Sequence, residues 1–214
     1  MQRRRFLQGA MAATAAGLAS GTLIAPGALG APAIGNAAPD FTGVDSNGKV
    51  VRLADLRGKV VVLEWTNHDC PYVRKHYNAG NMQALQREAA GQEVVWLTIA
   101  SSPPGQQGHV TAGQANDLTK SRNAAPASVV LDPDGTIGRA YRAQVTPHMY
   151  VIDKQGMLQY MGAIDDKPSS NPDSVKTATN YVRPAVSAVL GGKPVEPAVT
   201  RAYGCTIKLA ALRS

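Results

Sequence analysis

Two nearly continuous apolar runs constrain this chain more than any other feature: Lys59-Val60-Val61-Val62-Leu63-Glu64-Trp65 and Val94-Val95-Trp96-Leu97-Thr98-Ile99-Ala100. Both are rich in β-branched residues and lack polar alternation. That pattern belongs to strands covered on both faces, as in the middle of a sheet flanked by helices. Between them, Pro71–Gly91 scans as helix, with Val73, Tyr77, Met82 and Leu85 as an apolar face interrupted by Asn78-Ala79-Gly80-Asn81. Strand, helix, strand predicts a parallel pair joined by a right-handed crossover.

The flanking segments extend this unit. Pro39–Val44 and Lys49–Leu53 surround Asn47-Gly48, the signal of a hairpin turn. Ser101–Gly113, with Pro103-Pro104-Gly105, reads as a long mobile loop, followed by a helix over Gln114–Ser121 and a strand Ser128–Leu131. The turn Asp132-Pro133-Asp134-Gly135 leads to a short helix Thr136–Arg142. His148–Asp153 and Met157–Met161 form a second hairpin about Lys154-Gln155-Gly156. Val175–Leu190 reads as a final helix kinked by Pro184, and 191–214 as a Pro/Gly-rich tail carrying Cys205. This order predicts an α/β chain of thioredoxin-like fold. Its central mixed β-sheet is flanked by helices, with an N-terminal β-hairpin and a C-terminal extension. One domain, 34–214, accommodates all of it.

The first residues read as an address. Gln2-Arg3-Arg4-Arg5-Phe6-Leu7-Gln8 resembles a bacterial twin-arginine export signal, and Ala31-Pro32-Ala33 has the small-x-small form of a cleavage site. A membrane anchor fits less well, because Gly17, Gly21, Pro26 and Gly27 break the intervening stretch. Residues 1–33 are therefore expected to be a signal peptide, with a periplasmic mature chain. Without them, 22 basic residues become 19 against 15 acidic ones, a net charge of +4. A surplus of that size, without clustered basic and aromatic residues, excludes a nucleic-acid footprint. Two cysteines, Cys70 and Cys205, are too few for a disulfide-stapled scaffold, so packing must supply the stability.

Asp69-Cys70-Pro71-Tyr72 falls where the first buried strand gives way to the helix. Proline favours the first helical position and biases its predecessor away from helical angles, which makes Cys70 the cap residue. A sulfur there is expected to face the free N–H groups at the helix start, where a thiolate is stabilised, and to be reachable by water. Arg74 and Lys75 break the usual preference against basic residues near a helix start, a hint of function.

Trp65-Thr66-Asn67-His68-Asp69-Cys70-Pro71-Tyr72-Val73-Arg74-Lys75 resembles the active-site segment of the thioredoxin-like superfamily, more narrowly its peroxiredoxin-like (redoxin, AhpC/TSA-type) group. Val145-Thr146-Pro147 is similar to that family's Thr-cis-Pro, and Gly204-Cys205-Thr206-Ile207-Lys208 to a C-terminal signature of the group. The resemblance implies a thiol-dependent oxidoreductase with Cys70 as nucleophile and Cys205 as resolving or disulfide partner. Thr146 and Pro147 would bind substrate, and Asn67, His68, Arg74 and His148 would modulate the thiolate. Implied partners are protein thiols or disulfides, or small peroxides, with a separate reductant; no cofactor and no metal are implied. The chain departs from the dithiol pattern, with Val73 at the second cysteine position. It departs from the peroxidase pattern in carrying Asn67 for threonine and Pro147 for arginine. His76 and His109 read as surface or packing residues, and Met149 as core. Two other readings stay open: a copper-binding module using Cys70 and His148, and a non-catalytic interaction protein with a structural Cys70–Cys205 bond.

Overall fold

The computed structural model describes residues 31–211; the arginine-bearing part of the export segment lies outside the described residues. The chain joins the sheet at once, with Gly35 N–H donating to Leu158 O (2.8 Å) and Ala37 bridging Met157. β1 (Thr42–Asp45) and β2 (Val50–Arg52) form the expected hairpin. Asp45 Oδ1 holds its turn by accepting from the amides of Asn47 and Lys49, both at 2.9 Å.

β3 (Val61–Trp65) leads to α1 (Pro71–Asn78) and α2 (Asn81–Gly91), and β4 (Val95–Ala100) returns parallel to β3. Gly80 separates the two helices in a left-handed conformation (φ 72°) that a side chain would resist, so the expected interruption is a clean break. α3 (Ala112–Ser121), β5 (Ser128–Leu131), α4 (Thr136–Ala140), β6 (Val145–Thr146), β7 (His148–Ile152) and β8 (Leu158–Gly162) follow. α5 (Val182–Leu190) and β9 (Cys205–Thr206) close the chain. The main sheet runs β2-β1-β5-β4-β3-β7-β8, with β5 parallel to β4 and β7 antiparallel to β3. This is the thioredoxin-like arrangement.

β3 is buried along its whole length because helices and loops cover both faces. Strand alternation divides the core. Val62 packs with Val73, Met82, Met149 and Val182 on the α1/α2/α5 face, whereas Val61, Leu63 and Trp65 pack with Ile137, Tyr141 and Tyr150 on the other. Glu64 breaks the apolar run on the helical face. Burial raises the pKa of its carboxyl against four donors: Tyr77 Oη (2.8 Å), Trp96 Nε1 (2.8 Å), Thr98 Oγ1 (3.1 Å) and Gln86 Nε2 (3.2 Å).

Three elements differ from the sequence reading. α3 starts at Ala112 rather than Gln114, because Thr111 and Gln114 form a reciprocal capping box. In place of a helix over 175–190, Pro172–Thr177 is a 3-10 turn and α5 begins only at Val182. Pro184 therefore lies in a first helical turn, where its missing N–H breaks no intrahelical bond. The tail contributes a strand, β9, which pairs antiparallel with β6 and sets Cys205 opposite Thr146.

Candidate functional site

β3 ends at Trp65, and a tight turn delivers the chain to α1. Asn67 Oδ1 accepts from Asp69 N–H (2.9 Å) and Asn67 O from Cys70 N–H (3.1 Å). Cys70 is the N-cap of α1, with Pro71 in the first helical turn. The sulfur makes no capping bond; it turns away from the helix amides and donates to Thr146 O at 3.1 Å. Cys70 is also 0 % exposed, so the expected open sulfur is a closed one.

The tail closes it. Thr146, joined to Pro147 by a cis peptide, is 2 % exposed beneath β9, and Ile207 N–H donates to Gln144 O (2.9 Å) to extend the pairing. Gly204 permits this approach. Its φ is +141°, and a Cβ there would stand 1.9 Å from Thr146 O. Both thiols are free. Burial, followed by a hydrogen bond to Cys70 and that group's charge, pushes the Cys205 thiol up to about 12, while Lys208 and Arg74 pull it down. Cys205 thus keeps its proton more tightly than an ordinary thiol does.

Of the four residues expected to modulate the thiolate, Arg74 bears on the cysteine pair by its charge, and none makes a hydrogen bond to the Cys70 sulfur. The Asn67 amide holds the turn and packs against Gly108. His68 faces the Asp69 carboxylate (Nε2–Oδ2 3.4 Å) and lines a small cavity with Thr66 and Arg122. Arg74 Nη2 folds back to donate to Asp69 O (2.8 Å). His148 is a correction of position. It pairs with Trp65 in the β3–β7 register and stacks on Tyr150 (4.6 Å), on the sheet face opposite the Cys70 cluster. Strand alternation decides this, since Met149 rather than His148 points to the α1 side. Burial lowers the His148 pKa to about 4. A copper site built from Cys70 and His148 is not brought together, and no group of three or more His, Cys, Asp or Glu side chains with metal-holding geometry occurs among the described residues.

A sequence profile of the AhpC/TSA family matches residues 34–161, more than half of the chain. The chain belongs to that family. Its similarity to the thiol-disulfide oxidoreductase ResA of Bacillus subtilis is 27 % identity over 124 residues, 58 % of this chain and 64 % of the relative. The chain therefore spans less than two thirds of that relative's length. A hypothetical protein from Sinorhizobium meliloti superimposes with a TM-score of 0.74 at 26 % identity, covering 86 % of this chain and 98 % of the other. A putative thiol:disulfide interchange protein DsbE from Chlorobium tepidum shares the fold, with a TM-score of 0.55 at 22 % identity over 75 % of this chain and all of that one.

Within this AhpC/TSA chain, the sequence reading missed one cluster beside the cysteines. Lys75 turns inward from α1 to 0 % exposure and pairs with Asp165 (Nζ–Oδ2 3.1 Å), itself 2 % exposed. Tyr203 of the tail joins them (Lys75 Nζ to Tyr203 Oη 3.0 Å). The available signal was the basic pair Arg74-Lys75, of which only Arg74 remains at the helix start. A cleft of about 640 Å³ opens beside the cluster, bounded by Val145, Asp166, Tyr181, Arg201 and Gly204.

Proposed function

We propose that this chain is a thiol–disulfide oxidoreductase that cycles Cys70 and Cys205 between dithiol and disulfide. The observation that supports the reading is the β6–β9 pairing, which sets Cys205, from the far end of the chain, opposite Thr146, whose carbonyl accepts from Cys70 Sγ. Cys70 gives its proton to water and attacks one sulfur of a substrate disulfide R–S–S–R′. A Cys70–S–S–R bond forms and R′S⁻ leaves. Cys205 supplies its proton to that leaving group, giving R′SH, and its thiolate attacks the Cys70 sulfur of the mixed disulfide. RS⁻ departs and takes a proton from water as the Cys70–Cys205 bond forms. Two electrons have passed to the substrate, and a dithiol reductant restores the pair by the reverse exchange.

The site's polar groups favour disulfide over peroxide as substrate. A peroxide needs donors around the sulfur to polarise its O–O bond. Here the sulfur meets a carbonyl, and Asn67, Arg74 and His148 are committed to other partners. Export to the periplasm is part of the reading. It is supported by the paired arginines near the N-terminus and by the sheet contacts that begin at Gly35, just past Ala33. We assign residues 34–214 to the exported domain on the same grounds.

Mass spectrometry after incubation with oxidised glutathione tests the pair. Wild type is expected to lose both alkylatable thiols and two hydrogens. Cys205→Ser is expected to accumulate a glutathione adduct on Cys70, and Cys70→Ser to lose at least ~100-fold in reduction of a peptide disulfide. A wild type that keeps two free thiols, with Cys70→Ser equally active, overturns the assignment. Peroxide consumption faster than disulfide reduction would transfer it to the peroxidases.

A further inference from the structure

Tyr203 occupies a seat that α1 provides. Tyr72, Lys75 and His76 lie on one helix face at spacings of three and four. The Tyr72 ring meets the Tyr203 ring edge-on at 5.7 Å, and the Lys75 ammonium stands 5.3 Å from the Tyr203 ring centre. The hydroxyl is fully used. It donates to Asp165 Oδ1 and accepts from Lys75 Nζ (3.0 Å). Asn81 Nδ2 donates to His76 Nδ1 (2.9 Å), which leaves the proton on Nε2, 3.4 Å from the same hydroxyl.

Lys75 depends on this tyrosine. Its three N–H donors go to Asp165, to Lys167 O (2.7 Å) and to Tyr203, with the side chain wholly buried. Were the tail to lift, one donor of a buried ammonium would lose its acceptor, an arrangement proteins avoid. The lengths also match. From Cys70 to Lys75 is about 7.5 Å of helix rise, and from Tyr203 back to Cys205 is at most about 7 Å of extended chain. A tyrosine held at Lys75 therefore delivers a thiol two residues later to the helix mouth.

We propose that the Lys75–Asp165–Tyr203 clasp is the positioning device for Cys205: it fixes where the tail crosses Cys70, and its release opens the buried sulfur to substrate. Tyr203 is a positioning residue that touches neither sulfur. The inference rests on the thiol–disulfide cycle above and names what controls its access step.

Tyr203→Phe keeps the ring contacts and removes the hydroxyl. Two readings are taken of this substitution. The first is the equilibrium fraction of Cys70–Cys205 disulfide in glutathione buffers, which gives the effective concentration of one thiol at the other. The second, in a Cys205→Ser background, is the rate at which Cys70 reacts with an aromatic disulfide probe. The clasp requires opposite movements, a fall of about tenfold in effective concentration and a rise of about tenfold in probe rate. General loosening that leaves the first reading unchanged, or wild-type values for both, overturns it. Hydrogen exchange on the unsubstituted reduced protein supplies a second test: the Ile207 amide, which donates to Gln144 O, is expected to be protected as strongly as those of α1, and its exchange within seconds refutes the clasp. A wild type that never forms the disulfide counts against the thiol–disulfide cycle instead, whatever the tail amides show.

Discussion

At Gly204 the backbone itself does the work of placing a sulfur. With φ at +141° and Thr146 O where a Cβ would fall, alanine cannot be accommodated without lifting β9. Gly204→Ala is expected to reduce Cys70–Cys205 disulfide formation at least ~10-fold in glutathione buffer while circular dichroism stays that of the folded domain. Cys205 itself offers a chemical readout. Its thiol is raised from 9.0 toward about 12, by burial first and by Cys70 next, so at pH 8 less of it is thiolate than in free cysteine. Iodoacetamide is expected to modify it at least ~10-fold more slowly than free cysteine, and Cys70→Ser to recover part of that rate by removing two of the causes. Equal rates in the two proteins would show that Cys70 does not bear on Cys205.

At the scale of elements, the tail behaves as a strap across the end of the sheet. Tyr203 packs on Tyr72 of α1, Cys205 lies with the α1-side core, Ile207 with the opposite core, and the Leu209 side chain on Gly135 and Gly138 of the α4 start. Arg139 Nη1 fixes its end by donating to Ala210 O (3.0 Å). Deleting residues 201–214 is expected to raise the alkylation rate of Cys70 by ~100-fold relative to Cys205→Ser in the full chain, since a sulfur with 0 % exposure gains an open path. No acceleration would mean that something other than the strap covers it. α3 gives a simpler test. Thr111→Ala removes the capping box and is expected to cost about 1 kcal/mol, read as a fall of roughly 2–4 °C in the melting midpoint.

For the whole molecule, buried titratable groups make stability depend on pH. His76 and His148 are both held near a pKa of about 4 by burial, below the 6.5 of an unfolded histidine. The unfolded chain therefore binds protons first as pH falls. Stability from these groups is present above about 6.5 and lost toward 4, by about 3 kcal/mol each at most. Glu64 acts in the opposite sense, because its raised pKa lets the folded state take a proton first. Melting wild type and His148→Gln at pH 7.5 and pH 5 separates the two. The variant is expected to start lower, having lost its stacking on Tyr150, but to lose less on acidification. Parallel losses would remove His148 from the account.

The sequence by itself determined the order of elements, the buried central strands, and Cys70 at a helix start. Each follows from spacing along the chain: β-branched runs, an Asn-Gly turn, a proline in the first helical turn. It also named Cys205, although its pairing with β6 joins residues about sixty positions apart, which no local pattern encodes. Tertiary structure alone decided which face each side chain takes. Strand register sent His148 away from the sulfur, and the fit of Gly204 on Thr146 laid β9 beside it. The pull of a dehydrated Lys75 and Asp165 on Tyr203 likewise turned a Pro/Gly-rich tail into part of the site. Desolvated charges and backbone contacts of this kind depend on what the rest of the chain brings near, so they become visible only once the fold is closed.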